Sequence, residues 1–174
     1  VVIFNHRDFQ SRVDIKNLAN DIALKIVEAQ KSAIFGKFPS LAQQVFINSS
    51  WKPSYGVYFD MASNKSFIYF VNLQETLPQN NIFNGTDCTG ECVEKITITK
   101  GNTISKLEVF YLDGTSTIIP NTLTVSFTRP DSTAVISSAT SIQANIDYAK
   151  ITISSPSATS SHIKVYASGR IQIN

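Results

Sequence analysis

The sequence contains no uninterrupted apolar run of about 18 residues, the least a helix needs to cross a bilayer. The chain as it stands therefore has no membrane-spanning stretch. It also lacks the order of basic, apolar and small residues that marks a secretory signal, and it begins at Val1 rather than methionine, so the expectation is a processed or trimmed product. Histidine is scarce, with two residues, and neither a Gly-rich phosphate loop nor a nucleophile elbow appears. Hydrolase and kinase chemistry both lack their usual groups, and the expectation is a protein that is not an enzyme and needs no cofactor and no metal. Charge is sparse too. Charged residues make up 16% of the chain, the formal net charge is +2, and Lys and Arg are scattered along the sequence, so nucleic acid is not an expected partner.

The few reactive residues each have an ordinary reading. Cys88 and Cys92, in "TDCTGECVE", are the two cysteines, and His6 and His162 are too far away in sequence to complete a zinc site with them. A small disulfide loop in an oxidising compartment is preferred over reduced thiols or a metal, with a modest gain in stability because the loop is short. Asp60 and Asp113 each end a strand pattern, where an acid closes a turn more often than it binds calcium. Asn48-Ser49-Ser50 and Asn84-Gly85-Thr86 match the glycan-acceptor pattern, which is short enough to recur by chance. Trp51, Tyr55, Tyr58, Phe59, Phe67, Tyr69 and Phe70 crowd one region. Such a cluster can form a sugar platform, but in "YGVYF" and "SFIYF" the aromatics fall on both strand faces, which favours core packing.

What is present is a change of period. From Val13 to Ala33 the residues Ile15, Leu18, Ile22, Ile26, Ala29 and Ala33 recur at spacings of three and four, the stripe of an amphipathic helix. The other faces carry Asp8, Arg12, Asp14, Lys16, Asp21, Lys25, Glu28 and Lys31, with Asp21 and Lys25 spaced as a favourable pair. Gly36 and Pro39 end the pattern near Phe35. If the helix is continuous from Val1 it is about 50 Å long. Beyond Pro39 the period becomes two, as in "KITIT", "LTVSFT" and "KITIS", with turn signals at Asp113-Gly114, Arg129-Pro130-Asp131, Ser155-Pro156 and Ser168-Gly169. These features predict eight to ten short strands. The expected fold is a single α+β domain, with a long N-terminal helix (residues 1–36) packed on an antiparallel β-sandwich or strongly bent sheet (residues 37–174).

Several stretches carry a resemblance. "VVIFNHRDFQSRVDIKNLANDIALKIVEAQKSAI" resembles the helix of type IV pilin-like proteins just past its transmembrane part, and "NLANDIALKIVEAQ" is close to that of the H-type minor pseudopilins. "SYGVYFD" with "NKSFIYF", "TDCTGECVEKITITKGNTISKL" and the ending "IKVYASGRIQIN" are similar to later segments of such proteins. The resemblance implies a pilin-like fold and a structural subunit of a type IV pilus-like filament or type II secretion pseudopilus. Its partners would be other pilin or pseudopilin subunits and, through a missing N-terminal segment, the inner membrane. The subunit would wait there with its β-domain on the outer side and end in a filament at the cell surface, where a surface ligand is open. Val1, Val2, Ile3 and Phe4 would be the last part of the assembly segment, while Ile15, Leu18, Ile22, Ile26, Ala29 and Ala33 would hold the helix to its own sheet.

The sequence departs from that family in two places. The prepilin cleavage site and the glutamate near the mature N-terminus are absent, and "VNLQETLPQNN" stands, with one acid, where related sequences often carry an acidic stretch. The alternative function is a cell-surface adhesin or carbohydrate-binding β-module that begins with a helix and uses Trp51 with its aromatic neighbours.

Overall fold

Helix α1 spans Val2–Ile34, and the buried stripe along it explains why it lies against the rest of the chain. Ile15, Ala19, Ile22, Ala23, Ile26, Ala29 and Ala33 are buried, and Leu18 packs partly buried beside them. The computed structural model describes residues 2–73, 80–85 and 87–174, and for 2–8 it describes the helical backbone alone. The helix stops where Gly36 adopts φ +68°. There the Lys37 N–H donates to the Ser32 carbonyl at 2.9 Å and the Gly36 N–H to the Ala33 carbonyl at 3.0 Å. This double closure satisfies carbonyls that the helix end would otherwise orphan, and it needs a residue without Cβ at the left-handed position.

The strands form two five-stranded sheets in which every paired neighbour is antiparallel. The first has the order β3 (Cys92–Thr97), β2 (Ser66–Val71), β1 (Ser54–Asp60), β6 (Thr122–Thr128), β7 (Val135–Ser138). The second runs β10 (Ile171–Ile173), β9 (Ser160–Tyr166), β8 (Ile146–Ser154), β4 (Thr103–Tyr111), β5 (Ser116–Ile118). Alternate residues of both sheets, among them Val57, Phe59, Val125 and Phe127 on the first and Leu107, Val109, Ile151 and Ile163 on the second, join the helix stripe in one apolar core. A smaller cluster of Ile68, Phe70 and Phe83 lies apart from that core. Gly56 makes room for it, because a Cβ there would stand 2.7 Å from the Phe70 ring and 2.6 Å from the Val125 carbonyl oxygen.

Polar contacts fix the helix to both sheets. The Tyr69 hydroxyl donates to Ser32 Oγ at 2.9 Å, and Gln30 Nε2 donates to the carbonyls of Ser132 at 2.9 Å and Gly169 at 3.2 Å. Lys100 meets Asp14 at 2.6 Å. Lys25 lies 2.8 Å from both Glu28 and Glu94, so it does not form the pair with Asp21 that the spacing suggests.

The fold class read from the sequence needs correction. Among the described residues the chain is a mostly antiparallel β protein, two five-stranded sheets with a single α-helix, and not an α+β arrangement of a long helix packed on a β-sandwich or bent sheet as in the pilin-like proteins. The physical reason is the balance of the core. Among the described residues the helix supplies seven of 33 buried apolar side chains, four of them alanines, and strand residues dominate the remainder. A long periodic stripe announces a helix, but its small side chains give it a minor share of the buried surface.

Candidate functional site

Two surfaces stand out on the exterior. The first begins on the back of α1. Leu24, Val27 and Phe35, spaced by three and eight residues, are centred about 165° from the buried stripe, at the 100° per residue of an α-helix. Leu24 is 65% and Phe35 80% exposed. Leu24, Val27, Lys31 and Phe35 line a shallow depression of about 430 Å³. The chain that follows adds exposed Phe38, Leu41, Val45 and Phe46. Exposed apolar residues thus interrupt the charged faces of the helix at these positions. A depression lined by exposed apolar side chains suits a partner that covers it.

Ile15 is the first buried residue among those described, so 13 helical residues, 2–14, precede it and extend about 20 Å. Val1 and the side chains of Val2, Ile3, Phe4 and His6 lie outside the described residues.

The second surface is the outer face of the second sheet. Strand register aligns its side chains in rows. One row is aromatic: the Phe110 and Tyr148 rings stack with centroids 4.6 Å apart, and Tyr148 and Tyr166 follow at 5.2 Å. The adjacent row holds Gln172, Lys164, Lys150 and Glu108. Cations lie over all three rings, Lys150 at 4.8 Å from Phe110, Lys164 at 4.9 Å from Tyr148 and Arg170 at 3.8 Å from Tyr166. Glu108, with its side chain 8% exposed, lies 2.7 Å from both Lys106 and Lys150. Burial disfavours its charge, yet the hydrogen bonds from the two lysines outweigh that and hold the carboxyl below its ordinary value. His162 belongs to β9 rather than to a Ser-rich turn, with Nδ1 3.2 Å from Thr152 Oγ1. Burial, together with the charges of Lys150 and Lys164, lowers its pKa despite Glu108.

Most of the other residues singled out in the sequence have local structural tasks. Cys88 and Cys92 are joined. Trp51 is buried, and its indole N–H donates to the Asn72 carbonyl at 2.9 Å; Tyr55, Phe59, Phe67 and Tyr69 are buried in the same core. Phe70 is buried in the smaller cluster, and Tyr58 is half-buried beside a cavity of about 410 Å³ that Asp60 and Phe83 also line. Burial also pushes the Tyr55 hydroxyl above its ordinary range. Asp60 accepts from the Ala62 N–H at 2.9 Å and Asp113 from the Thr115 N–H at 2.8 Å, each closing a turn. Asn48 accepts from Ser50 in an exposed turn, and the sequon at Asn84 includes Thr86, which lies outside the described residues. Among the described residues no three His, Cys, Asp or Glu side chains are placed to hold a metal ion.

Three features escape the sequence reading. Glu91, inside the disulfide loop, is fully buried and accepts backbone N–H groups of Leu73 at 2.8 Å and Asn84 at 2.6 Å. Leu24, Val27 and Phe35 form a weak second stripe hidden among charges. The cationic and aromatic face was legible only as every second residue of "KLEVF", "YAKITIS" and "SSHIKVY", where the outward positions are unusually rich in Lys, Tyr and Phe. Comparison of the chain with protein-family models, with curated proteins and with solved structures found no match.

Proposed function

We propose that the protein is a structural subunit of a filament, of the type IV pilus or type II secretion pseudopilus kind, added to its neighbours through the N-terminal helix. One observation carries the reading: α1 has apolar residues on two opposite sides, and only one side is covered by the protein's own sheets. The reading rests on that helix and on the resemblance of its sequence, not on a pilin-like fold. An exposed helix face meeting a different patch on the next copy is a heterologous contact, and such contacts propagate as open helical polymers.

Magnitudes divide the labour along the helix. Covering Leu24, Phe35, Phe38 and Leu41 would contribute about 1.5–3 kcal/mol each. Their sum is comparable to the roughly 4–15 kcal/mol that association costs in lost freedom. This surface therefore orients neighbouring subunits, and the helix before Ile15, whose sequence includes Val2, Ile3 and Phe4, supplies the remaining attraction. The proposal includes an inner-membrane anchor before assembly, which no helix among the described residues could supply, since none is long and apolar enough to cross a membrane.

Leu24→Cys tests the contact directly, because the two native cysteines are joined and the new thiol is unique. A short maleimide–succinimidyl ester reagent, which links that thiol to an amine on the facing patch, added to filaments on cells should yield covalent adducts between this subunit and its neighbours. Cross-linking no greater than that of a Ser105→Cys control on the second sheet would contradict the proposal.

A further inference from the structure

The outer face of the second sheet is built with more order than a solvated surface needs. Its charges do not balance. The rows and their flanks carry Lys106, Lys150, Lys164 and Arg170 against the single carboxylate of Glu108, which engages Lys106 and Lys150. Lys164 and Arg170 form no ion pair among the described residues, and both are held in place by rings, over Tyr148 and Tyr166. A lysine or arginine fixed in this way loses less side-chain freedom when it meets an anion, which favours binding. Strands lie about 4.8 Å apart, so the aligned Lys164 and Lys150 offer successive positive positions along a track that crosses the strands.

The same rows decide the kind of anion. With cations over Phe110, Tyr148 and Tyr166, the rings are poor stacking platforms for nucleic-acid bases, which bind single-strand sites through bare aromatic faces. Beside the cations stand hydrogen-bonding groups that suit hydroxyls. Thr152 lies near His162, Ser154 bonds Ser105 at 2.7 Å, and the Tyr166 hydroxyl bonds Gln172 at 3.1 Å. Alternating acidic groups and hydroxyls along one chain are the chemistry of acidic sugars. We propose that this face binds an anionic polysaccharide, one bearing carboxylates or sulfates, along a track over β10, β9, β8 and β4. The proposal does not depend on the assembly reading.

The test uses the whole chain and four probes in calorimetric titrations: an oligogalacturonate, the same oligomer with its carboxyls methyl-esterified, a sulfated oligosaccharide, and a single-stranded oligonucleotide of equal charge. At least one of the two anionic sugars should bind at least tenfold more tightly than the ester. Lys164→Gln with Arg170→Gln should weaken that binding at least tenfold without changing the melting temperature, whereas Lys65→Gln, on the turn between β1 and β2, should leave it unaltered. Failure of both anionic sugars to bind, binding insensitive to the double substitution, or tighter binding of the oligonucleotide would each overturn the proposal.

Discussion

Ile22 and Leu24 stand two residues apart on α1 and face opposite environments: Ile22 is fully buried in the core, while Leu24 is 65% exposed. At 100° per residue they are separated by about 200° around the helix. Folding and assembly can therefore be perturbed separately on the same turn. Ile22→Asp should destabilise the protein by more than about 3 kcal/mol, since it places an unpaired charge among apolar neighbours. Leu24→Asp should leave the melting temperature within a degree or two of the native value. Thermal denaturation of the two variants checks both, and equal destabilisation would show that Leu24 also serves the fold.

Glu91 ties two stretches of backbone to the end of β2. Its carboxylate accepts from Leu73 and Asn84, and its own carbonyl accepts from Val71 at 2.9 Å. Glu91→Ala leaves those buried N–H groups without the carboxylate and should cost about 1–3 kcal/mol for each group orphaned. Urea denaturation measures the loss. A change below half a kcal/mol would mean that water or a neighbouring group replaces the side chain.

The Cys88–Cys92 link closes a loop with a sequence separation of four. Chain entropy for so short a loop gives about 2 kcal/mol at most. Mild reduction should lower the denaturation midpoint without unfolding the protein, because neither cysteine belongs to the main core. Labelling of free thiols in the native, denatured and unreduced protein should detect none.

The outer face of the second sheet predicts an acid-sensitive stability. Glu108 titrates below its ordinary 4.5 in the folded state, so the unfolded chain takes up the proton first as pH falls. Its contribution is complete above pH 4.5 and is lost as pH drops through the folded value. His162 is depressed below 6.5, so its contribution is complete above pH 6.5 and is lost as pH falls toward its lower folded value. Urea midpoints should thus decline from neutral pH downward. Glu108→Gln should flatten the decline below pH 4.5, and His162→Gln the decline just below pH 6.5. Profiles unchanged by either substitution would contradict these assignments.

The strand alternation and turns of this chain were legible because they are local. Leu123, Val125 and Phe127 alternate inward along β6, and Asp113-Gly114 joins β4 to β5 with Gly114 at φ +84°. The balance of helix and sheet was not legible. Periodicity reports how far a helix runs, whereas the core depends on side-chain size and on which strands meet, and the alanines at 19, 23, 29 and 33 bury little. The aromatic and cationic rows were hidden for a related reason. Phe110, Tyr148 and Tyr166 are separated by 38 and 18 positions in sequence and become neighbours only through the register of β4, β8 and β9. Glu91 looked like one more surface acid because nothing in "TDCTGECVE" announces the backbone groups that fold around it.

If the uncovered face of α1 orients the protein in a filament, the face must be needed for incorporation. Quantifying the subunit in filaments sheared from cells tests it most directly, with Leu24→Asp and Phe35→Asp compared against the native chain at equal cellular abundance. The native subunit should be recovered with the filaments, and the paired substitutions should deplete it at least tenfold while its melting temperature stays unchanged. A native subunit absent from the filament fraction, or a variant recovered as fully as the native chain, would contradict it.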